Sequence, residues 1–215
     1  MEKTLQAIYD AIKNGKIAEV SSLVQQALDE NLAPKTILDQ SMVAAMREVG
    51  DLFESGEKFV PEMLISAHAM QSGLAVLKPF LVAGNVKAAG KVVLGTVKGD
   101  LHDIGKNLVG LMLEGAGFEV IDLGTDVSSQ QFVQAVEDNQ ADLVALSALL
   151  TTTLPNMEIT VKAVDEARFP NKVGVFVGGA PVTEDHARAI GADGYAVDAS
   201  KAVKVMSDWL SQAGG

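Results

Sequence analysis

Apolar residues recur at two different periods along this chain, and the change falls near residue 84. Up to about Leu81 the spacing is helical: Leu5, Ile8 and Ile12 stand three and four apart, and Val20, Leu23, Val24 and Leu28 follow the same rule. Pro34 is placed to open a third helix with Ile37, Leu38, Met42, Met46 and Val49 on its apolar face. Gly56 interrupts, and Pro61 opens a fourth helix carrying Met63, Leu64, Ala67, Met70 and Leu77. Four helices joined by short loops predict a small antiparallel bundle over residues 1–83. The Gly- and Ala-rich stretch 84–90 reads as a linker. From residue 91 to 215 the rhythm is that of strands and helices in alternation. Apolar runs of strand length, Val92–Val97, Phe118–Leu123, Leu143–Leu146, Val173–Val177 and Tyr195–Val197, are separated by amphipathic stretches near 106–115, 128–138, 155–168, 183–190 and 200–211. Strands that are apolar throughout predict a parallel sheet covered on both faces. Five such units predict an α/β domain of the flavodoxin-like, Rossmann-like doubly wound kind, with strand order 2-1-3-4-5.

Composition acts mainly by exclusion. The net charge of −11 and pI near 4.6 argue against nucleic acid and anionic membrane as partners, since both attract basic patches. The absence of cysteine excludes disulfides, thiolate metal sites, iron–sulfur clusters and cysteine nucleophiles. The start Met1-Glu2-Lys3-Thr4 lacks the pattern of a signal peptide, and no apolar stretch is long enough to span a bilayer, so a soluble cytoplasmic protein is expected.

Only three histidines occur, and His102 alone has the surroundings of a ligand: it lies in Lys98-Gly99-Asp100-Leu101-His102-Asp103-Ile104-Gly105, after the first strand and before a helix expected near Lys106. A carboxylate two residues upstream can take the proton of one ring nitrogen, fixing the tautomer and raising the basicity of the other. His68, on the fourth helix, and His186, after Gly178-Gly179, are explained by burial or capping. In open parallel sheets ligands bind outside the carboxyl ends of the strands at the switch point. Asp100-Leu101-His102 follows strand one, Ser147-Ala148-Leu149 and Thr151-Thr152-Thr153 follow strand three, Gly178-Gly179-Ala180 follows strand four, and Asp198-Ala199-Ser200 follows strand five. Taken singly these have ordinary readings: Thr153 before Leu154-Pro155 suits a helix N-cap, Gly124-Thr125-Asp126 after strand two suits a loop with a cap, and paired glycines suit a tight turn. Their convergence on one rim suggests a narrow slot beside a histidine.

The run Asp100-x-His102-x-x-Gly105, then Ser147-x-Leu149, then Gly178-Gly179, with residues 106–146 and 150–177 between them, resembles the signature of base-off/His-on cobalamin-binding domains. Val49-Gly50-Asp51-Leu52-Phe53, Lys58-Phe59-Val60-Pro61-Glu62-Met63 and Ser66-Ala67 are similar to the helical cap of cobalamin-dependent methionine synthase. The chain is thereby identified as similar to the corrinoid methyl-carrier proteins of anaerobic methyltransferase systems. The resemblance implies that His102 coordinates cobalt from the lower face in place of dimethylbenzimidazole, that Asp100 bonds its other nitrogen, and that Thr153 stands where methionine synthase has the serine of that relay. It further implies cofactor contacts from Gly99, Leu101, Asp103, Ile104, Gly105 and Leu149, a slot for the nucleotide tail lined by Ser147, Thr151, Gly178 and Gly179, and a corrin contact from Ala199. Phe53, Val60 and Met63 match the residues shielding the upper face.

The function implied by the resemblance is that of a cobalamin (corrinoid, cobalt) methyl carrier between a substrate-specific methyltransferase and an acceptor methyltransferase. Tetrahydrofolate or coenzyme M would be the acceptor, and a reductive activase a further partner. Methyl-Co(III) accommodates six ligands and Co(I) prefers four, so His102 is expected to bind in one state and release in the other. No segment of TIM-barrel size is present, so the chain is a non-catalytic subunit in this reading. Methanol, methylamines, methoxylated aromatics and betaines all remain open as methyl donors. An adenosylcobalamin mutase subunit is opposed by the helical bundle, and a cobalamin-dependent regulator or sensor by the missing basic DNA-binding module. A flavodoxin or receiver domain is opposed by the first loop, which lacks a hydroxyl-rich phosphate cradle, and by Ser147 where a phosphoacceptor would stand.

Overall fold

The computed structural model describes residues 3–84 and 88–213; residues 85–87 of the expected linker lie outside them. The chain forms two compact units, one running to Ala88 and taking in Glu114–Gly117, the other comprising Ala89–Leu113 and Phe118 onward.

The first unit is helical. Helices α1 (Lys3–Lys13) and α2 (Ile17–Asp29) bury Leu5, Ile8 and Ile12, and Val20 and Val24, at the three- and four-residue spacing of one face. The third expected helix is one continuous run but not one regular α-helix. It passes from α3 (Pro34–Ile37) through a π-helical turn (Leu38–Val43) into α4 (Ala44–Glu54). A π-turn frees a carbonyl from the regular ladder, and the buried Ser41 hydroxyl donates to the Ile37 carbonyl at 2.5 Å. Ile37, Leu38, Met42, Met46 and Val49 are nonetheless all buried, as their spacing predicts. Helix α5 (Val60–Ala83) starts one residue before Pro61 and buries Met63, Ala67, Met70 and Leu77.

The second unit is a five-stranded, all-parallel sheet in the order β2-β1-β3-β4-β5. Its strands are β1 (Lys91–Thr96), β2 (Glu119–Asp122), β3 (Leu143–Ser147), β4 (Gly174–Gly178) and β5 (Gly194–Ala196). Between and after them run α6 (Ile104–Gly115), α7 (Ser129–Asn139), α8 (Leu154–Glu166), α9 (Glu184–Ala189) and α10 (Ala199–Ala213). Val93 of β1 and Val97 just beyond its end, Val144 and Leu146 of β3, and Val175 and Val177 of β4 join one buried cluster with Phe132 of α7 and Met157 and Val161 of α8. Helix α6 begins two residues before the expected Lys106, which brings Ile104 and Gly105 into its first turn.

The register positions the site. Thr96 pairs with Ser147, Ser147 with Gly178, and Gly178 with Ala196, so four strands end on one transverse row. Chain order reverses between β1 and β3, which places the crevice of an open α/β sheet just beyond that row. Among the described residues no helix is long and apolar enough to cross a membrane.

Candidate functional site

Beyond β1 the chain turns at Gly99, whose φ of +85° lies in the left-handed region, and returns so that the Asp100 carboxylate points into the sheet end, fully buried. Five donors converge on it. Oδ1 accepts from the His102 backbone N–H at 3.1 Å and from His102 Nδ1 at 2.7 Å. Oδ2 accepts from the Leu149 and Leu150 amides at 2.7 and 3.3 Å and from the Thr153 hydroxyl at 2.8 Å. Burial by itself would raise the carboxyl pKa, but the Leu149 and His102 amides, then the His102 ring and the Thr153 hydroxyl, outweigh it and hold the group well below the usual carboxylate range. Asp100 is therefore an anion at neutral pH.

An anion at Oδ1 places the ring proton of His102 on Nδ1 and leaves Nε2 with its lone pair free for a ligand bond. The imidazole is half exposed while its partner is fully buried, so the ring is fixed from below and open above. A buried hydroxyl, Thr96 Oγ1, donates to the His102 carbonyl at 2.9 Å and pins the backbone as well. Thr153 does occupy the N-cap position of α8, but its hydroxyl makes no capping bond. It lies 2.8 Å from both Asp100 Oδ2 and the Leu150 carbonyl, and its single proton favours the charged acceptor. Asp100, His102 and Thr153 thus stand in one hydrogen-bonded line.

The rest of the rim is apolar and uncovered. Leu101 is 73% exposed, Ile104 87%, and Val197 70%, with Leu149 and Leu150 exposed beside them. Large apolar side chains gathered on a rim mark a surface built to be covered. Gly179 sits at φ +126°, and a Cβ there would lie 1.9 Å from the Ala148 carbonyl oxygen; one at Gly178 would lie 2.9 Å from that of Ala196. The two glycines keep the backbones of β3, β4 and β5 close at the slot. Ser147 is half-buried at its end of the row, Thr151 is exposed in the following turn, and Gly99, Asp103 and Gly105 are exposed around the histidine. Ala199, at the head of α10, is buried, and Val197 presents the apolar surface there. In the helical unit Met63 is fully buried, Phe53 half-buried and Val60 exposed, with the neighbouring Phe59 66% exposed. Among the described residues no cluster of three or more acidic, His or Cys side chains could chelate an ion.

A half-exposed imidazole with its second nitrogen fixed, set in an apolar rim over a glycine-lined slot, suits a large flat metal macrocycle better than a bare ion. Residues 90–204 match the family described as B12 binding domain, and residues 4–78 match a second family of that description. The chain belongs to the B12-binding domain family. Over 210 residues this B12-binding protein is 41% identical to dimethylamine corrinoid protein 3 of Methanosarcina acetivorans, covering 98% of each chain. Its structure is similar to a cobalamin-binding protein from Desulfitobacterium hafniense, with TM-score 0.78, 33% identity and 95% and 98% of the two chains covered. It is also similar to a chain of the methanol:cobalamin methyltransferase complex from Methanosarcina barkeri, with TM-score 0.86, 29% identity, and 98% of this chain and 80% of that one covered.

Sequence patterns in the B12-binding protein do not point to Thr96, Leu150 or Val197. Thr96 carries a signal all the same, as a hydroxyl at the end of an otherwise apolar strand. Leu150 contributes through its amide, which no side-chain pattern reveals.

Proposed function

We propose that this protein carries a methyl group on the cobalt of a bound corrinoid, between a substrate-specific methyltransferase and a second methyltransferase. The carrying observation is the 2.7 Å bond from His102 Nδ1 to a buried, ionised Asp100, which leaves Nε2 as the one ring atom able to reach cobalt. Bound cobalamin supplies the transferable cobalt–carbon bond; the chain supplies ligation, orientation and exclusion of water. His102 would hold the lower face, with Asp100 and Thr153 fixing its orientation. Leu101, Ile104, Leu149 and Val197 would lie along the macrocycle, and Ser147, Thr151, Gly178 and Gly179 would line the slot for the nucleotide tail. Phe53, Val60 and Met63, which match the shielding residues by motif, would serve the reactive face.

The relatives' names support a methylated amine as the ultimate donor: proteins named for dimethylamine stand at 41% identity and one named for trimethylamine at 38%. A methyltransferase partner for each half of the cycle accords with the carrier role, and a reductive activase with the need to recover cobalt that has been oxidised. The deciding experiment loads the protein with cobalamin and records electron paramagnetic resonance of the Co(II) form with ¹⁵N-labelled histidine. Coupling from protein nitrogen is expected; coupling from dimethylbenzimidazole alone would overturn the reading.

A further inference from the structure

The turn that carries Asp100 is held from outside the signature. Asp126, in the loop between β2 and α7, is a non-glycine residue in the left-handed region at φ +57°. Its Oδ1 accepts from the Gly99 amide at 2.8 Å and its Oδ2 from Lys98 Nζ at 2.9 Å. Its own N–H donates to the Asp100 carbonyl at 3.0 Å. One residue thus engages three consecutive residues of the turn. The loop is brought alongside by a short continuation of the sheet: Val127 bridges Val97, and the Thr96 N–H donates to the Gly124 carbonyl at 2.9 Å. From another side Asn156 of α8 donates Nδ2 to the Lys98 carbonyl at 2.8 Å. The Asp126 carboxyl is held below its ordinary value, first by the Gly99 amide and then by Lys98, as expected of a working acceptor.

A turn with glycine at its pivot has the widest choice of conformations, so bonds from outside must select one. Here the selection matters, because rotating the Gly99–Asp100 peptide would swing the carboxylate away from the imidazole it orients. We propose that Asp126 is a positioning residue for His102, fixing the Asp100 peptide and through it the orientation and tautomer of the ring. The task of that ring rests on the function proposed above, but its tautomer belongs to the chain alone and can be read without cofactor.

Two variants separate this from a merely structural loop contact. Asp126→Gly tolerates the left-handed backbone and deletes both acceptors; Asp126→Asn tolerates it too, keeps an acceptor for Gly99 and loses the charge opposite Lys98. The first readout is the ¹⁵N shift pair of the His102 ring in the cofactor-free full chain at neutral pH. Nδ1–H should dominate in the wild type, lose population in Asp126→Gly, and lose less in Asp126→Asn. The second readout is cobalamin affinity, expected to fall about tenfold in Asp126→Gly, the lower end of what loss of a ligand's supporting contacts costs. If Asp126→Gly fails to fold, Asp126→Asn decides. A wild-type tautomer population in folded Asp126→Gly, or in Asp126→Asn where the glycine variant does not fold, overturns the proposal, even where melting temperature has dropped. Absence of histidine coupling in the loaded wild type would overturn the function instead, and leave the tautomer test standing.

Discussion

Thr153 and Asp100 meet across 53 positions of sequence, hydroxyl to carboxylate Oδ2 at 2.8 Å, with both side chains buried. The contact joins the loop after β3 to the loop after β1, on either side of the point where strand order reverses. Removing the hydroxyl while keeping the shape, as in Thr153→Val, leaves a buried charge short of one donor. Such a loss costs about 1–3 kcal/mol, to be measured by urea unfolding of the cofactor-free protein. Thr153→Ser keeps the donor and should stay near wild type; equal losses in the two variants would show that the methyl, not the hydroxyl, matters.

Acid stability should depend on Asp100 with a definite sign. Its native pKa is depressed, so the unfolded chain binds its proton more readily than the native one. The stabilisation is complete above the ordinary carboxylate value of about 3.9 and is lost progressively as pH falls below it. Asp100→Asn cannot titrate. It should be less stable than wild type at pH 7, and the gap should narrow as pH is lowered through the acid range. A gap independent of pH would mean that Asp100 contributes through shape alone.

Much of this arrangement is legible in the sequence. Strand order, the apolar helix faces and the placing of Asp100, His102, Ser147 and Gly178 on one rim accord with periodicity and with the rule for open α/β sheets. The π-turn at Leu38–Val43 is not legible, because its buried residues keep a spacing that an α-helix also satisfies. Asp126 reads as an ordinary loop residue, since its role consists of bonds to Gly99, Lys98 and Asp100, some 26 to 28 positions away. Of the residues that fit the shielding motif, Met63 is fully buried while Val60 is exposed, a difference the motif does not carry. Sequence spacing locates an element's face; it does not say which residue of that face the fold leaves uncovered.

The glycines of the signature should divide into two kinds. Gly179→Ala would set a Cβ 1.9 Å from a backbone oxygen at a φ of +126°, which no side-chain motion relieves, and should unfold or severely destabilise the protein. Gly105 has nothing within 4 Å of an added Cβ and lies inside α6. Gly105→Ala should therefore stabilise the cofactor-free protein, by about 0.5–1 kcal/mol, while weakening cobalamin binding where the added methyl would meet the cofactor. Thermal melts and a binding titration on the same samples test both halves. Unchanged affinity would remove Gly105 from the cofactor contacts.

Exposed apolar residues on the rim offer a last test, because stability and binding should part company there. Ile104 and Leu101 touch little in the protein, so Ile104→Ser and Leu101→Ser should leave the melting temperature of the cofactor-free chain close to wild type. If the macrocycle covers them, each gives up part of the roughly 1.5–3 kcal/mol that full burial of such a side chain provides. About half of that burial corresponds to a loss of affinity of roughly three- to tenfold. Ile159, exposed in mid-α8 rather than in or next to a strand-end loop, is the control, and Ile159→Ser should leave binding unchanged. The competing account is that rim leucines and isoleucines are scattered surface residues of the kind every protein carries. On that account all three serine variants bind alike. The ordering of their affinities, with Ile159→Ser at wild type and the rim variants well below it, is what distinguishes a corrin platform from an incidental apolar surface.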